Sequence, residues 1–262
     1  RNDLYVSYNE KVSNKTFWNL GARIGYTSLK STIADDAFFP LPFSTISQGN
    51  LTYSGTAGIV FKTTDNVFFK ANLSTGFRVP NVDDLAKVFE SVAGTVIVPN
   101  KDLNPEKTLT GDIGFVIESK SKKVKFENTY FYTKLYDAIV TKEFTYNGQS
   151  SLDYLGSSSQ VFANQNSGKA FVTGLSTNFN AVVINNLKFS VSFNYSLGRV
   201  VEEEGHRPLD HIAPYYGKIG FLYNLNLATF EAYLLYNGKK RLSDYSTSGE
   251  DNLVYAPQNG MP

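Results

Sequence analysis

Residues 187 to 199 read Leu-Lys-Phe-Ser-Val-Ser-Phe-Asn-Tyr-Ser-Leu-Gly-Arg. Until the last residue, every odd position is apolar or aromatic, and every even position is small or polar. Successive side chains of a strand point to opposite faces, so this segment has one apolar face and one hydrated face. The same device recurs along the chain. Alternation places about ten strands, near 3–9, 16–30, 52–63, 66–79, 107–119, 123–137, 168–181, 186–200, 214–225 and 227–240. Many of them exceed the usual length of soluble strands and match that of outer-membrane strands.

The connections are as informative as the strands. Short turns fall at 64–65, 119–122, 185–186 and 225–226. Long connections fall at 31–51, 80–106, 138–167 and 201–213, so short and long alternate. In an up-and-down barrel alternate connections emerge at one rim, giving one rim of tight turns and one of large loops, as in outer-membrane barrels. A soluble β-sandwich alternates too, with its apolar face turned inward, and period alone does not say which face is outside. Strand length and loop asymmetry favour the membrane barrel.

Composition removes other classes. With 25 basic and 24 acidic residues the formal net charge is +1, which gives no footprint for nucleic acid. There is no cysteine, hence no disulfide framework, thiol nucleophile or cysteine metal site. No apolar run has the length of a spanning helix. No glycine-rich phosphate cradle and no G-x-S-x-G elbow occurs, so the reading is not an enzyme, and it calls for no cofactor and no metal.

Four segments carry a family resemblance. Ser74-Thr75-Gly76-Phe77-Arg78-Val79-Pro80-Asn81-Val82-Asp83-Asp84-Leu85 ends a strand and opens a long loop. Pro99-Asn100-Lys101-Asp102-Leu103-Asn104-Pro105-Glu106 closes that loop. Together they resemble the "GFRxPN…EL" and "NPxLxPE" segments of TonB-dependent outer-membrane receptors. Tyr130-Phe131-Tyr132 with Asp137-Ala138-Ile139, and Pro208-Leu209-Asp210-His211-Ile212-Ala213-Pro214 with Gly217, resemble two later motifs of that family, in family order. The resemblance implies an all-β fold, an antiparallel up-and-down transmembrane β-barrel, with this chain supplying about ten strands of a 22-stranded barrel. Residues 1–262 are expected to be the C-terminal portion of that barrel, with the plug domain and last strands absent. The implied activity is TonB-dependent import of a scarce nutrient across the outer membrane, a ferric siderophore or similar iron complex. An oligosaccharide, cobalamin or haem importer, or a passive porin or adhesin barrel, stays open beside it. Implied partners are the nutrient ligand, outer-membrane lipid and, through the missing plug region, TonB.

Residues read on their own chemistry complete the expectations. Pro80 removes a ladder donor and ends a strand. Arg78, where that strand leaves the wall, can pair with Glu106 or Asp102 and pin the loop base, a role favoured over ligand contact. The loop aromatics Phe38, Phe39, Phe43, Phe89, Tyr154, Phe162 and Tyr245 are candidate ligand contacts, since their faces suit sugar rings and planar chelators, with loop packing as the plainer reading. His206 stands beside Glu202, Glu203 and Glu204, residue types that can bind a metal, although a solvated acidic loop explains them more simply. No histidine lies between Phe77 and Pro105, which disfavours haem. The apolar patch Val88, Phe89, Val92, Val96, Ile97 and Val98 needs a cover, from a neighbouring loop, the plug or a ligand. The serine-rich stretch 150–159 reads as a mobile loop.

Overall fold

A computed structural model describes residues 1–32, 43–166, 168–202 and 205–245. In chain order the strands begin with β1 (Asn2–Lys11), β2 (Thr16–Thr32), β3 (Thr45–Thr64) and β4 (Val67–Arg78). A short helix α1 (Val82–Ala86) precedes β5 (Phe89–Val92), β6 (Thr95–Val98), β7 (Glu106–Glu118) and β8 (Val124–Tyr136). Then come β9 (Ile139–Glu143), β10 (Ser151–Tyr154), β11 (Ser157–Asn166), β12 (Lys169–Ile184) and β13 (Leu187–Glu202). The last are β14 (Gly205–Pro208), β15 (Tyr215–Asn224) and β16 (Thr229–Asn237). Ten of these form one antiparallel meander, ordered β1-β2-β3-β4-β7-β8-β12-β13-β15-β16, with β14 paired to the rim end of β13. All ten coincide with the strands that alternation places.

Ladder register shows what each face is made of, because directly paired residues point to the same side. One row runs Trp18, Ile59, Ala71, Ile113, Tyr130, Leu175, Tyr195, Tyr215 across eight strands. The next row, one residue along, runs Asn19, Gly58, Asn72, Asp112, Phe131, Gly174, Ser196. The apolar face leaves large side chains uncovered: Leu73, Ile113, Phe221 and Leu234 are all exposed. The polar face carries its own cross-strand bonds. Thr56 Oγ1 donates to Asn72 Oδ1 at 2.8 Å, and Asn72 Nδ2 donates to Asp112 Oδ2 at 3.1 Å.

The long connections fold over the polar face. Leu85 of α1 and Leu103 pack with Ile46 and Leu29, which belong to the polar-side register of β3 and β2. Ala138, Val140 and Leu209 pack with Leu135, Ala170 and Val200, again on that side. The inner wall is therefore mainly polar, with single apolar residues such as Phe131 and Leu222, and turns continuously apolar at the rim where loops cover it. This arrangement makes the uncovered apolar face the outer, lipid-facing side, as the barrel reading requires. The described long connections, between β4 and β7, β8 and β12, and β13 and β15, leave one rim. The short turns leave the other.

Three expectations change. The connection read as 31–51 is shorter, since β2 runs to Thr32 and β3 begins at Thr45. Alternation continues there, with Leu51 and Tyr53 outside and Gln48, Asn50 and Thr52 inside, and Ile46 gains cover from Leu85. The connections 80–106 and 138–167 are not plain loops. They share a second, five-stranded sheet ordered β10-β11-β6-β5 with β9 on β11, and β6 and β11 pair in parallel from different connections. The serine-rich stretch is no mobile loop. It forms the β10–β11 hairpin, turned at Leu155-Gly156, where both φ angles are positive (54° and 81°) as a type I′ turn demands.

Gly114 shows how closely the inner wall is fitted. A Cβ there would lie 2.4 Å from the Asn128 carbonyl oxygen and 2.8 Å from Lys70 Cε. The bare backbone lets Lys70 on β4 reach over β7 to Glu127 on β8, with which it forms an ion pair. Replacing Gly114 by Val in the full-length receptor should separate that pair, force the ladder apart and cost roughly 1–3 kcal/mol. The midpoint of heat-modifiable migration or of denaturant unfolding reads this out. In the same receptor, Phe193→Arg should cost roughly 2–4 kcal/mol and impair insertion while Asn194→Arg does not, because only Phe193 faces lipid. Equal folding yields of the two variants in bilayers would reverse the assignment of faces.

Candidate functional site in the rim loops

The base of the 79–105 connection is fixed by one cationic side chain and two carboxylates. Arg78 is the last residue of β4 and lies opposite Glu106, the first of β7. Its Nε donates to Glu106 Oε2, and its Nη1 donates to Asp84 Oδ2 at 2.6 Å. The partner beyond Glu106 is thus Asp84 and not Asp102. Asp84 is available because Asn81 starts α1 with a capping box: Asp84 N–H donates to Asn81 Oδ1 at 2.8 Å and Asn81 N–H to Asp84 Oδ2 at 2.9 Å. Glu106 is 9% exposed, and its other oxygen accepts from the Ile139 N–H at 2.7 Å. A single carboxylate so ties the wall, Arg78 and the start of the next connection. Charge-assisted bonds of this kind are the strong ones, and two on one guanidinium fix its geometry.

Asparagines lock the two connections to each other. Asn164 Nδ2 donates to the Asp84 carbonyl at 3.1 Å, and Asn100 Nδ2 to the Asn164 carbonyl at 2.8 Å. Asn166 Nδ2 donates to the carbonyls of Asp137 and Asn104 at 2.6 and 3.0 Å. Its Oδ1 accepts from the Asn104 N–H at 2.7 Å. These residues were missed by sequence reasoning, since an Asn-Gln-Asn run has no periodic or motif signal. One signal was legible: Asn147-Gly148, with φ of 50° and 81°, closes a turn that Tyr146 and Gln149 bridge, and Asn-Gly is a strong hairpin marker.

The platform has an apolar interior. Val96, Val98, Tyr146, Tyr154, Val161 and Ala163 form one buried cluster, with Val88, Phe144 and Leu152 packed against it. The apolar patch of the first connection is therefore covered largely by the second. Burial also pushes the Tyr146 phenol above its ordinary pKa. On the other side of the small sheet, Phe89, Ile97 and Phe162 stand in one register row that continues to Glu143. Ile97 is buried, whereas Phe89 and Phe162 are half-buried. Lys87 Nζ lies 4.3 Å from the Phe89 ring centroid, and Gln160 Nε2 donates to Glu143 Oε1 at 2.9 Å. Two aromatic faces flanked by a cation and an amide–carboxylate pair can grip a planar or anionic small molecule.

The candidates thus separate by place. Phe89 and Phe162 share one row of the small sheet with Ile97 between them, Arg78 anchors the base of the first connection, and Tyr154 lies inside the platform core. Phe43 packs on the Ile46–Leu85–Leu103 cluster. Tyr245 is buried away from the platform, with Lys240 Nζ 5.1 Å from its ring centroid. His206 pairs with Val201 on the outer-face register and packs edge-on against Phe171 at 5.6 Å. That position is on the outside of the wall. Phe38, Phe39, Glu203 and Glu204 lie outside the described residues. No cluster of three or more metal-ligating side chains occurs among the described residues.

The family model described as "TonB dependent receptor-like, beta-barrel" matches residues 1–259. Among curated proteins, none matches the chain. Solved structures share its fold at low identity. The copper transporter OprC superposes with a TM-score of 0.62 at 17% identity, covering 88% of this chain and 33% of its own. The ferric enterobactin receptor PfeA of Pseudomonas aeruginosa, in complex with BCV-L6, gives 0.65 at 16% identity, over 93% and 33%. The siderophore receptor PirA from Acinetobacter baumannii gives 0.61 at 17%, over 96% and 36%. The chain spans about a third of the length of these structures. With an antiparallel meander whose polar face is roofed at one rim, and with a family model matched from end to end of the described residues, the chain belongs to the TonB-dependent receptor-like β-barrel family.

Proposed function

We propose that this chain is part of the barrel wall and loop platform of an outer-membrane receptor. That receptor takes up a scarce nutrient by TonB-dependent transport, most specifically a ferric siderophore or similar iron chelate. The observation that carries the reading is the rim platform. It is a sheet built jointly by two connections that roofs the polar side of the wall and presents Phe89 and Phe162 beside Lys87. Catecholate-type iron chelates are anions that bear aromatic rings, a chemistry such a set suits. The siderophore receptors among the structural relatives support the same class. Both edges of the meander, β1 and β16, have no partner among the described residues, in keeping with a larger wall completed by further strands. Arg78, Phe89 and Phe162 are the residues assigned to this function, Arg78 by positioning the platform and the two rings by contact.

The test uses cells that carry the full-length receptor as their route for iron. Uptake of a panel of ferric siderophores, with cobalamin, haem and an oligosaccharide as competitors, should depend on the receptor and on an energised inner membrane. Phe89→Ala with Phe162→Ala should weaken uptake of the true chelate by about tenfold or more at unchanged surface expression, as loss of two ring contacts implies. Arg78→Ala should lower uptake while leaving barrel heat-modifiability intact, because the β4–β7 ladder holds the wall without the ion pairs that set the loop base. Receptor-dependent uptake of one of the competitors and of no iron chelate would move the substrate to that class. Uptake independent of the inner-membrane energy supply would make the barrel a passive pore.

A further inference from the structure

At the short-turn rim, opposite the platform, the inner wall carries four lysines close in register. Lys122 and Lys123 belong to the β7–β8 turn, Lys125 to β8 and Lys188 to β13. The Val182 N–H donates to the Lys123 carbonyl, and Val182 is directly paired with Lys188. Lys123 and Lys188 therefore stand in one row with only Val182 between them, while Lys125 sits in the next inner row beside Asn180 and Ser190. The four lysines, Asn180, Ser190 and Leu222 line a cavity of about 380 Å³. Strands lie about 4.8 Å apart, so ammonium groups two strands apart on four-carbon stems can converge on one anion.

Charge is unbalanced there. Lys70 and Lys218, farther along the same face, each hold a carboxylate, Glu127 and Glu231. Lys125 reaches Glu127 only at 3.8 Å, where Lys70 already binds it, and Glu118 lies opposite Lys125 in the ladder. Glu231 borders the cavity but is engaged by Lys218 at 2.9 Å. Lys122, Lys123 and Lys188 have no carboxylate within salt-bridge distance among the described residues. The four lysines are exposed, and the three without a carboxylate partner stand around hydroxyl and amide groups and a partly apolar floor, an open site suited to a multiply charged oxyanion.

We propose that this cavity binds a small polycarboxylate or phosphate-bearing anion on the inner wall at the short-turn rim. If the receptor imports an anionic chelate, a role that rests on the functional reading above, the site is a second station for that cargo on leaving the platform. Binding itself does not depend on that reading. The experiment titrates citrate and inorganic phosphate into the purified full-length receptor by calorimetry, at ionic strength held constant with sodium chloride. The wild type should bind one of these anions, and Lys123→Gln with Lys188→Gln should weaken it by about tenfold or more at unchanged heat-modifiable folding. Equal binding by wild type and variant, or no binding by either beyond the chloride baseline, overturns the proposal. A second arm treats the receptor with a carbodiimide, which joins lysine amines to adjacent carboxylates. Coupling of Lys123 or Lys188 to a carboxylate of the receptor in buffer free of added carboxylate would show the site to be an internal ion pair and overturn it as well. Protection of both lysines from acylation by citrate would support it.

Discussion

Everything in this molecule depends on one constraint: in hydrocarbon no backbone N–H or C=O can be left without a partner. Ten strands of the meander answer it by pairing antiparallel in unbroken sequence order. Once the ladder is fixed, side-chain identity has a period of two and no freedom to drift, because a slip of one residue would put every polar group into lipid. The register row from Trp18 to Tyr215 and the adjacent row from Asn19 to Ser196 are the visible result. The bulges near residue 63 and residue 183 fall next to the short turns, where a shift of register does least harm to the wall.

The inner wall then acquires function by local exceptions to its polar rule. Near the long-connection rim Leu29, Ile46, Leu135, Ala170 and Val200 replace polar residues, and there the connections come down and pack. Arg78, Asp84 and Glu106 set the angle at which the first connection leaves. The asparagines at 100, 104, 164 and 166 stitch it to the second. A sheet shared by two connections resists independent motion of either, so the aromatic pair it presents is held on a scaffold and not on a loose loop.

Much of the wall was legible in the sequence because period-two patterning is a direct print of the environment on each face. The ten strands, the alternation of turn and connection, and the Arg78–Glu106 pair all come from that pattern or from the strand borders. The rim platform was illegible for a physical reason. Its strands are four to ten residues long, and the row of Phe89, Ile97 and Phe162 is apolar behind a buried Val96 and Val98 face, so Val96-Ile97-Val98 reads as an apolar patch and not as an alternation. Its parallel β6–β11 pair joins residues some 65 positions apart, and no local signal carries such a pairing. His206, for which an acidic loop was the simpler reading, is placed by register alone. Its acidic neighbours in sequence suggest a site, yet its register turns it to the outer face against Phe171.

The central claim is that the apolar register faces lipid and the polar register faces the lumen. The chain has no cysteine, so single replacements report cleanly. Each residue from Leu187 to Leu197 of the full-length receptor would be changed to cysteine in turn and spin-labelled in bilayers. Collision rates with oxygen and with a water-soluble nickel complex would then be measured. The account predicts a strict two-residue period, with oxygen favoured at Phe189, Val191 and Phe193 and nickel favoured at Ser190, Ser192 and Asn194. A flat profile, or the same period with the two reagents exchanged, would contradict it.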